Sequence, residues 1–93
     1  MGSSGIKARK TKVKNILGMH ARPASQIAQL AGEAKNDIWL CVEENRVDAS
    51  SIIDILTLSA VHGTIVSVEI EDDSDQQIMD QIIALFEDGF GEE

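Results

Sequence analysis

Tyrosine is absent from this 93-residue chain, and Trp39, Phe86 and Phe90 are its only aromatic residues. So few rings exclude a stacking platform for single-stranded nucleic acid, whose bases lie against aromatic side chains. Cys41 is the single cysteine, which excludes an intrachain disulfide and fits a reducing compartment. No apolar run approaches the roughly 18 residues of a membrane-crossing helix. The first ten residues bring basic side chains without the apolar stretch of a secretion signal. Basic residues also run out early: past residue 32 only Lys35 and Arg46 stand against all sixteen acidic residues. Such an acidic body excludes wrapping a nucleic acid, because phosphate backbones are held by Lys and Arg. The first 32 residues are the opposite, with six basic side chains and no acidic one, a balance suited to a small anion or an acidic partner.

What remains is ordinary for one small globular domain: 43% hydrophobic, 26% charged and a net charge of −8. Met1 to Gly5 (MGSSG) reads as a loose end or tag remnant, the first part of a flexible segment over 1–10. The domain is expected over 11–88, with an acidic tail over 89–93. Lys12 to Ile16 is a strand candidate. Ala21 to Ala34 reads as a helix, with Ala24, Ile27, Ala28 and Ala31 on one stripe and Pro23 in the first turn, where a missing N–H does no harm. Asp37 to Val42 alternates, placing Ile38, Leu40 and Val42 on one face and Trp39 and Cys41 on the other, with Cys41 expected as a small buried hydrophobe. Arg46 to Ala49 returns as a short edge strand. Ser51 caps a second helix reaching about Leu58. Thr64 to Glu71 is a strand, the acidic run 71–75 a solvated turn, and Ser74 to Gln77 a capping box for a last helix striped by Ile78, Ile82, Leu85 and Phe86. The order β-α-β-β-α-β-α implies an α+β fold: a four-stranded antiparallel sheet covered on one face by three helices.

Gly18-Met19-His20-Ala21-Arg22-Pro23-Ala24 is the segment with a chemical signature. Singly, each residue has a plain reading: a polar cap, a solvated charge, helix punctuation. Together they place a histidine at a helix start, where the first backbone N–H groups have no intrahelical acceptor and the helix end is partly positive. That is an anion site matched to phosphate or sulfate. The same field favours a neutral imidazole, which keeps a lone pair and acts as a nucleophile. The amides of Ala21 and Arg22 and the Arg22 guanidinium then hold phosphoryl oxygens. His20, His62 and Cys41 show no ligand spacing, so neither a metal nor another cofactor is expected.

The stretch Leu17 to Ala24 (LGMHARPA) resembles the active-site segment of HPr, the histidine-containing phosphocarrier of the bacterial phosphoenolpyruvate-dependent sugar phosphotransferase system. The likeness runs from about Lys12 to Phe86 and includes Ser51-Ile52-Ile53 and His62-Gly63-Thr64. It implies an open-faced β-sandwich. It implies that His20 accepts phosphate from phospho-enzyme I on its δ1 nitrogen and passes it to IIA domains of sugar permeases, with Arg22 as phosphoryl partner. Ser51 matches the family's regulatory serine, the target of HPr kinase/phosphorylase. Ser50 and Asp54 depart from the family, which often has Lys and a small residue there. The resemblance also implies that Met19, Ile52, Ile53 and Leu56 form an apolar docking patch. The expectation is a cytoplasmic, monomeric phosphocarrier with neither nucleic-acid binding nor membrane insertion, a phosphohistidine carrier rather than a stand-alone enzyme. The alternatives are a regulatory paralogue of the nitrogen branch and a non-catalytic partner-binding module.

Overall fold

Strand alternation builds the centre of the molecule. In the computed structural model, which describes residues 6–92, β4 (Ile65–Ile70) buries Val66, Val68 and Ile70 and turns Ile65, Ser67 and Glu69 the other way. It pairs antiparallel with β1 (Lys7–Lys12) on one side and β2 (Ile38–Val42) on the other. A short β3 (Asn45–Asp48) closes the sheet beyond β2, giving the order β1-β4-β2-β3 with every pairing antiparallel. The registers Leu40↔Val68 and Ile38↔Ile70 bring the apolar residues of β2 and β4 onto one face. There α1 (Ala21–Ala31), α2 (Ile52–Leu56) and α3 (Gln76–Glu87) pack, burying Ala24, Ile27, Ile55, Met79, Ile82 and Phe86 completely or nearly so. The other face is uncovered. The fold is the expected α+β open-faced β-sandwich, β-α-β-β-α-β-α, among the described residues.

The first strand differs from expectation. The paired residues are Lys7–Lys12, not 12–16, so residues 7–10 are sheet residues and not a loose leader. No apolar alternation announces this strand because it is an edge held by backbone pairing and by exposed ion pairs, Lys7 with Asp73 and Arg9 with Asp80. Lysines on an edge also discourage pairing with other chains. Val13 follows it into the core, still bonded through its backbone to Gly63 and Thr64. The expectation for residues 1–5 lies outside the described residues.

Smaller shifts follow local hydrogen bonding. The first helix ends at Ala31 and the second at Leu56, three and two residues earlier than expected. A 3-10 turn, Asp73–Asp75, precedes α3 and is capped by Asp72 rather than by Ser74. The run 71–75 is not simply solvated. Asp75 is buried, and its two oxygens accept from the amides of Lys35 and Asn36 at 2.9 Å, tying the loop between α1 and β2 to the start of α3. Glu71 accepts from the Trp39 indole at 3.0 Å. Cys41 lies half-buried on the uncovered face, not in the core, because it shares the Trp39 side of β2, opposite Leu40. Burial pushes its thiol up to about 11, with the adjacent Glu69 adding to the rise.

The acidic tail folds back onto the domain as far as Glu92. A second 3-10 turn, Gly89–Gly91, buries Phe90 against Phe86 with ring centroids 4.9 Å apart. Phe90 takes a left-handed φ of 59° between two glycines that do the same. Its burial holds the last described residue, Glu92, back against the body of the domain.

Candidate functional site

Asn15 is the first residue that matters, and it is buried. Its side-chain amide donates to the Gly18 carbonyl at 2.8 Å while the Gly18 amide donates to the Asn15 carbonyl at 3.1 Å, closing a tight turn. Ile16 and Leu17 form the exposed tip of that turn. Gly18 has φ +75°, and a Cβ there would lie 3.0 Å from the Ala60 carbonyl and 3.1 Å from Val61 Cα. Only glycine fits both the backbone and the space. The Met19 amide then bonds to Ala60 at 2.8 Å, and the chain enters α1.

His20 is the N-cap residue, extended at φ −128°, ψ −171°. Its carbonyl accepts from the Ala24 amide at 3.0 Å, but its ring makes no capping bond. Pro23 has no N–H, so the amides of Ala21 and Arg22 are left without intrahelical acceptors, and the first turn has no acidic side chain. The helix starts where the sequence places it, with the imidazole 37% exposed and open to solvent. Arg22 is exposed and makes no ion pair among the described residues.

The group that sequence reasoning missed is Glu92. One of its oxygens lies 2.8 Å from His20 Nε2, and the other accepts from the Asn15 amide at 2.9 Å. Nδ1 makes no hydrogen bond among the described residues. The Asn15 amide first, then His20 and the Arg22 charge, hold the Glu92 carboxyl below its ordinary value of 4.5. Its only sequence signal is Phe90, an apolar anchor inside an otherwise acidic tail.

The second helix presents Ile52, Ile53 and Leu56 outward, with Ile53 75% exposed, while Ile55 alone faces the core. Met19 is half-buried against the core. Ile16, Leu17 and Val61, which the sequence reading left out, are each more than 65% exposed beside the Gly18 turn. Ser51 caps α2, its hydroxyl accepting from the Asp54 amide at 3.2 Å. Between α1 and α2 runs an open groove of about 720 Å³ lined by Ser25, Ala28, Gln29, Ser51, Ile52 and Ile53. No group of three metal-ligating side chains occurs among the described residues.

Residues 7–88 match the family model described as the PTS HPr component phosphorylation site. The chain belongs to the HPr family. It is 36% identical to the phosphocarrier protein HPr of Cupriavidus necator over 84 residues, 90% of this chain and 94% of the relative. It is also 36% identical to the phosphocarrier protein NPr of Proteus mirabilis over 86 residues, 91% and 96% of the two chains. Among solved structures, HPr of Thermoanaerobacter tengcongensis superposes with a TM-score of 0.84 at 33% identity, covering 94% of this chain and 98% of that one. HPr proteins are phosphocarriers of the phosphotransferase system, and the family supports that role for this chain. The family match begins with β1 and stops short of the Phe90–Glu92 tail.

Proposed function

We propose that His20 accepts a phosphoryl group from phospho-enzyme I, charged by phosphoenolpyruvate, and passes it to IIA-type acceptors of a sugar phosphotransferase system. The observation that carries the reading is the His20 ring, open to solvent at an uncapped helix start, with Nε2 engaged and Nδ1 without a hydrogen-bond partner among the described residues. The Nδ1 lone pair attacks phosphorus. A new N–P bond forms as the bond to the donor breaks, and the donor keeps that electron pair. The amides of Ala21 and Arg22 and the Arg22 guanidinium then carry the phosphoryl charge.

Both partners dock on the apolar surface of Met19, Ile52, Ile53 and Leu56, widened by Ile16, Leu17 and Val61. Small adaptable surfaces of this kind suit brief encounters with several proteins. A phosphate placed on Ser51 by an HPr kinase/phosphorylase would set negative charge in the middle of this surface and regulate docking. The carrier works as a cytoplasmic monomer; no helix of the described residues is long and apolar enough to cross a membrane. A nitrogen-regulatory branch of the same system is the second reading, favoured by NPr relatives that match as well as the HPr ones.

Incubation with phosphoenolpyruvate and enzyme I tests the proposal. One acid-labile phosphate is expected, absent from the His20→Ala variant. Phosphorylated chain is then offered to sugar IIA and nitrogen IIA domains, and the faster acceptor decides the branch. Failure to gain phosphate beside a working HPr control leaves a non-catalytic binding module.

A further inference from the structure

We infer that Glu92 is a positioning residue for His20: its carboxylate holds the ring proton on Nε2 while Nδ1 takes up phosphate and while Nδ1 gives it away. This rests on the carrier reading above and adds to it a residue outside the family match.

An ionised carboxylate only accepts hydrogen bonds, and a neutral imidazole has one N–H and one lone pair. The Glu92 carboxyl titrates below the ordinary carboxylate value, so it is ionised at neutral pH. The ring nitrogen 2.8 Å from it is therefore the N–H, and the lone pair belongs to Nδ1. A second group commonly fixes a working histidine in this way, by occupying the nitrogen that does not react.

Three features separate this pair from a loose surface contact. The Glu92 side chain is only 13% exposed. Its other oxygen is gripped by Asn15, the same buried amide that shapes the Gly18 turn delivering His20 to the helix. The tail itself is anchored two residues earlier by Phe90 in the core.

The proton on Nε2 matters in both directions of transfer. When Nδ1 attacks, the N–P bond forms and Nε2 keeps its proton, so the phosphorylated ring is cationic and the carboxylate balances it. When the phosphate leaves, the N–P bond breaks, its electron pair returns to Nδ1, and the ring departs as neutral imidazole. Without the Nε2 proton the ring would have to leave as imidazolate, a far poorer leaving group. With Glu92 in place, no proton moves in either step.

The test is nitrogen-15 NMR of the His20 ring in the full, unphosphorylated chain, together with the rate of phosphate transfer from phospho-enzyme I. Wild-type protein is expected to show one protonated nitrogen, Nε2, and one bare nitrogen, Nδ1. In Glu92→Ala the two signals should move toward each other as tautomers mix, the Nε2 proton should exchange faster with water, and transfer should slow about tenfold. Glu92→Gln keeps an oxygen acceptor without the charge; it should retain the nitrogen signals and recover part of the rate. Identical ring signals in wild type and Glu92→Ala, or a wild-type rate in Glu92→Ala, overturn the inference. A wild-type chain that takes no phosphate, yet shows Nε2 protonated, overturns the carrier reading while leaving the tautomer assignment in place.

Discussion

The starts of α1 and α2 are built in opposite ways. Ser51 closes the start of α2 with a hydroxyl on the Asp54 amide, and Asp54 adds an acidic side chain to the first turn. His20 occupies the same position in α1, in a similarly extended backbone, yet its ring turns away to Glu92 and the first turn has no acid. A cap is worth about 1 kcal/mol and a first-turn acid about 0.3–1 kcal/mol. Helix α2 is five residues long, buries only Ile55 and depends on those terms. Helix α1 is eleven residues long, buries Pro23, Ala24, Ile27 and Ala31, and stands without them. The open amides thus sit on the helix that packing already holds, and in the proposed reaction they are what an incoming phosphate meets.

Three changes probe this contrast. The largest expected effect is at Gly18. An alanine there meets Ala60 and Val61 backbone and needs a left-handed φ, a conformational penalty of about 1–2 kcal/mol before the clash is relieved. Urea unfolding of Gly18→Ala should show at least that loss, with His20 displaced from Glu92 in NMR spectra. Next comes an exchange of cap character. Ser51→Ala should lower stability by about 1 kcal/mol, and His20→Ser should raise it by about the same amount while abolishing phosphate acceptance. Equal stability for both variants in thermal unfolding would erase the distinction between the two starts. The smallest effect is in pH. A carboxyl lowered in the folded state contributes stability that is complete above its unfolded value and fades as pH falls through the folded one. Contact between the tail and His20 should therefore persist below pH 4.5, the ordinary value for Glu92, and be lost on further acidification. Loss already near pH 6, followed by chemical shifts of Phe90 and Asn15, would refute the carboxylate assignment.

Much of this architecture was legible because local pattern and packing agree. Pro23 and the alanine stripe fixed the beginning of α1, and alternation in β2 and β4 set which residues face the helices. The basic β1 was misplaced because its stability comes from pairing with β4 and from ions on α3 and the preceding turn, none of which leaves an apolar period. Asp75 was misjudged because its partners, two amides, lie some forty residues earlier in the chain. Glu92 was invisible for the same reason on a larger scale: it meets His20 across 72 positions. His20 is singled out by its neighbours in sequence, whereas its contact with Glu92 is set by the fold.

The lone tryptophan has a practical consequence. Trp39 lies on the uncovered sheet face, under the Arg46 guanidinium at 4.2 Å and bonded to Glu71, on the side away from the helix layer that bears His20. Its fluorescence therefore follows the melting of the sheet and stays quiet when a protein lands on the helices. One optical signal can thus report stability for every variant around His20, leaving labels on the opposite layer free to follow association.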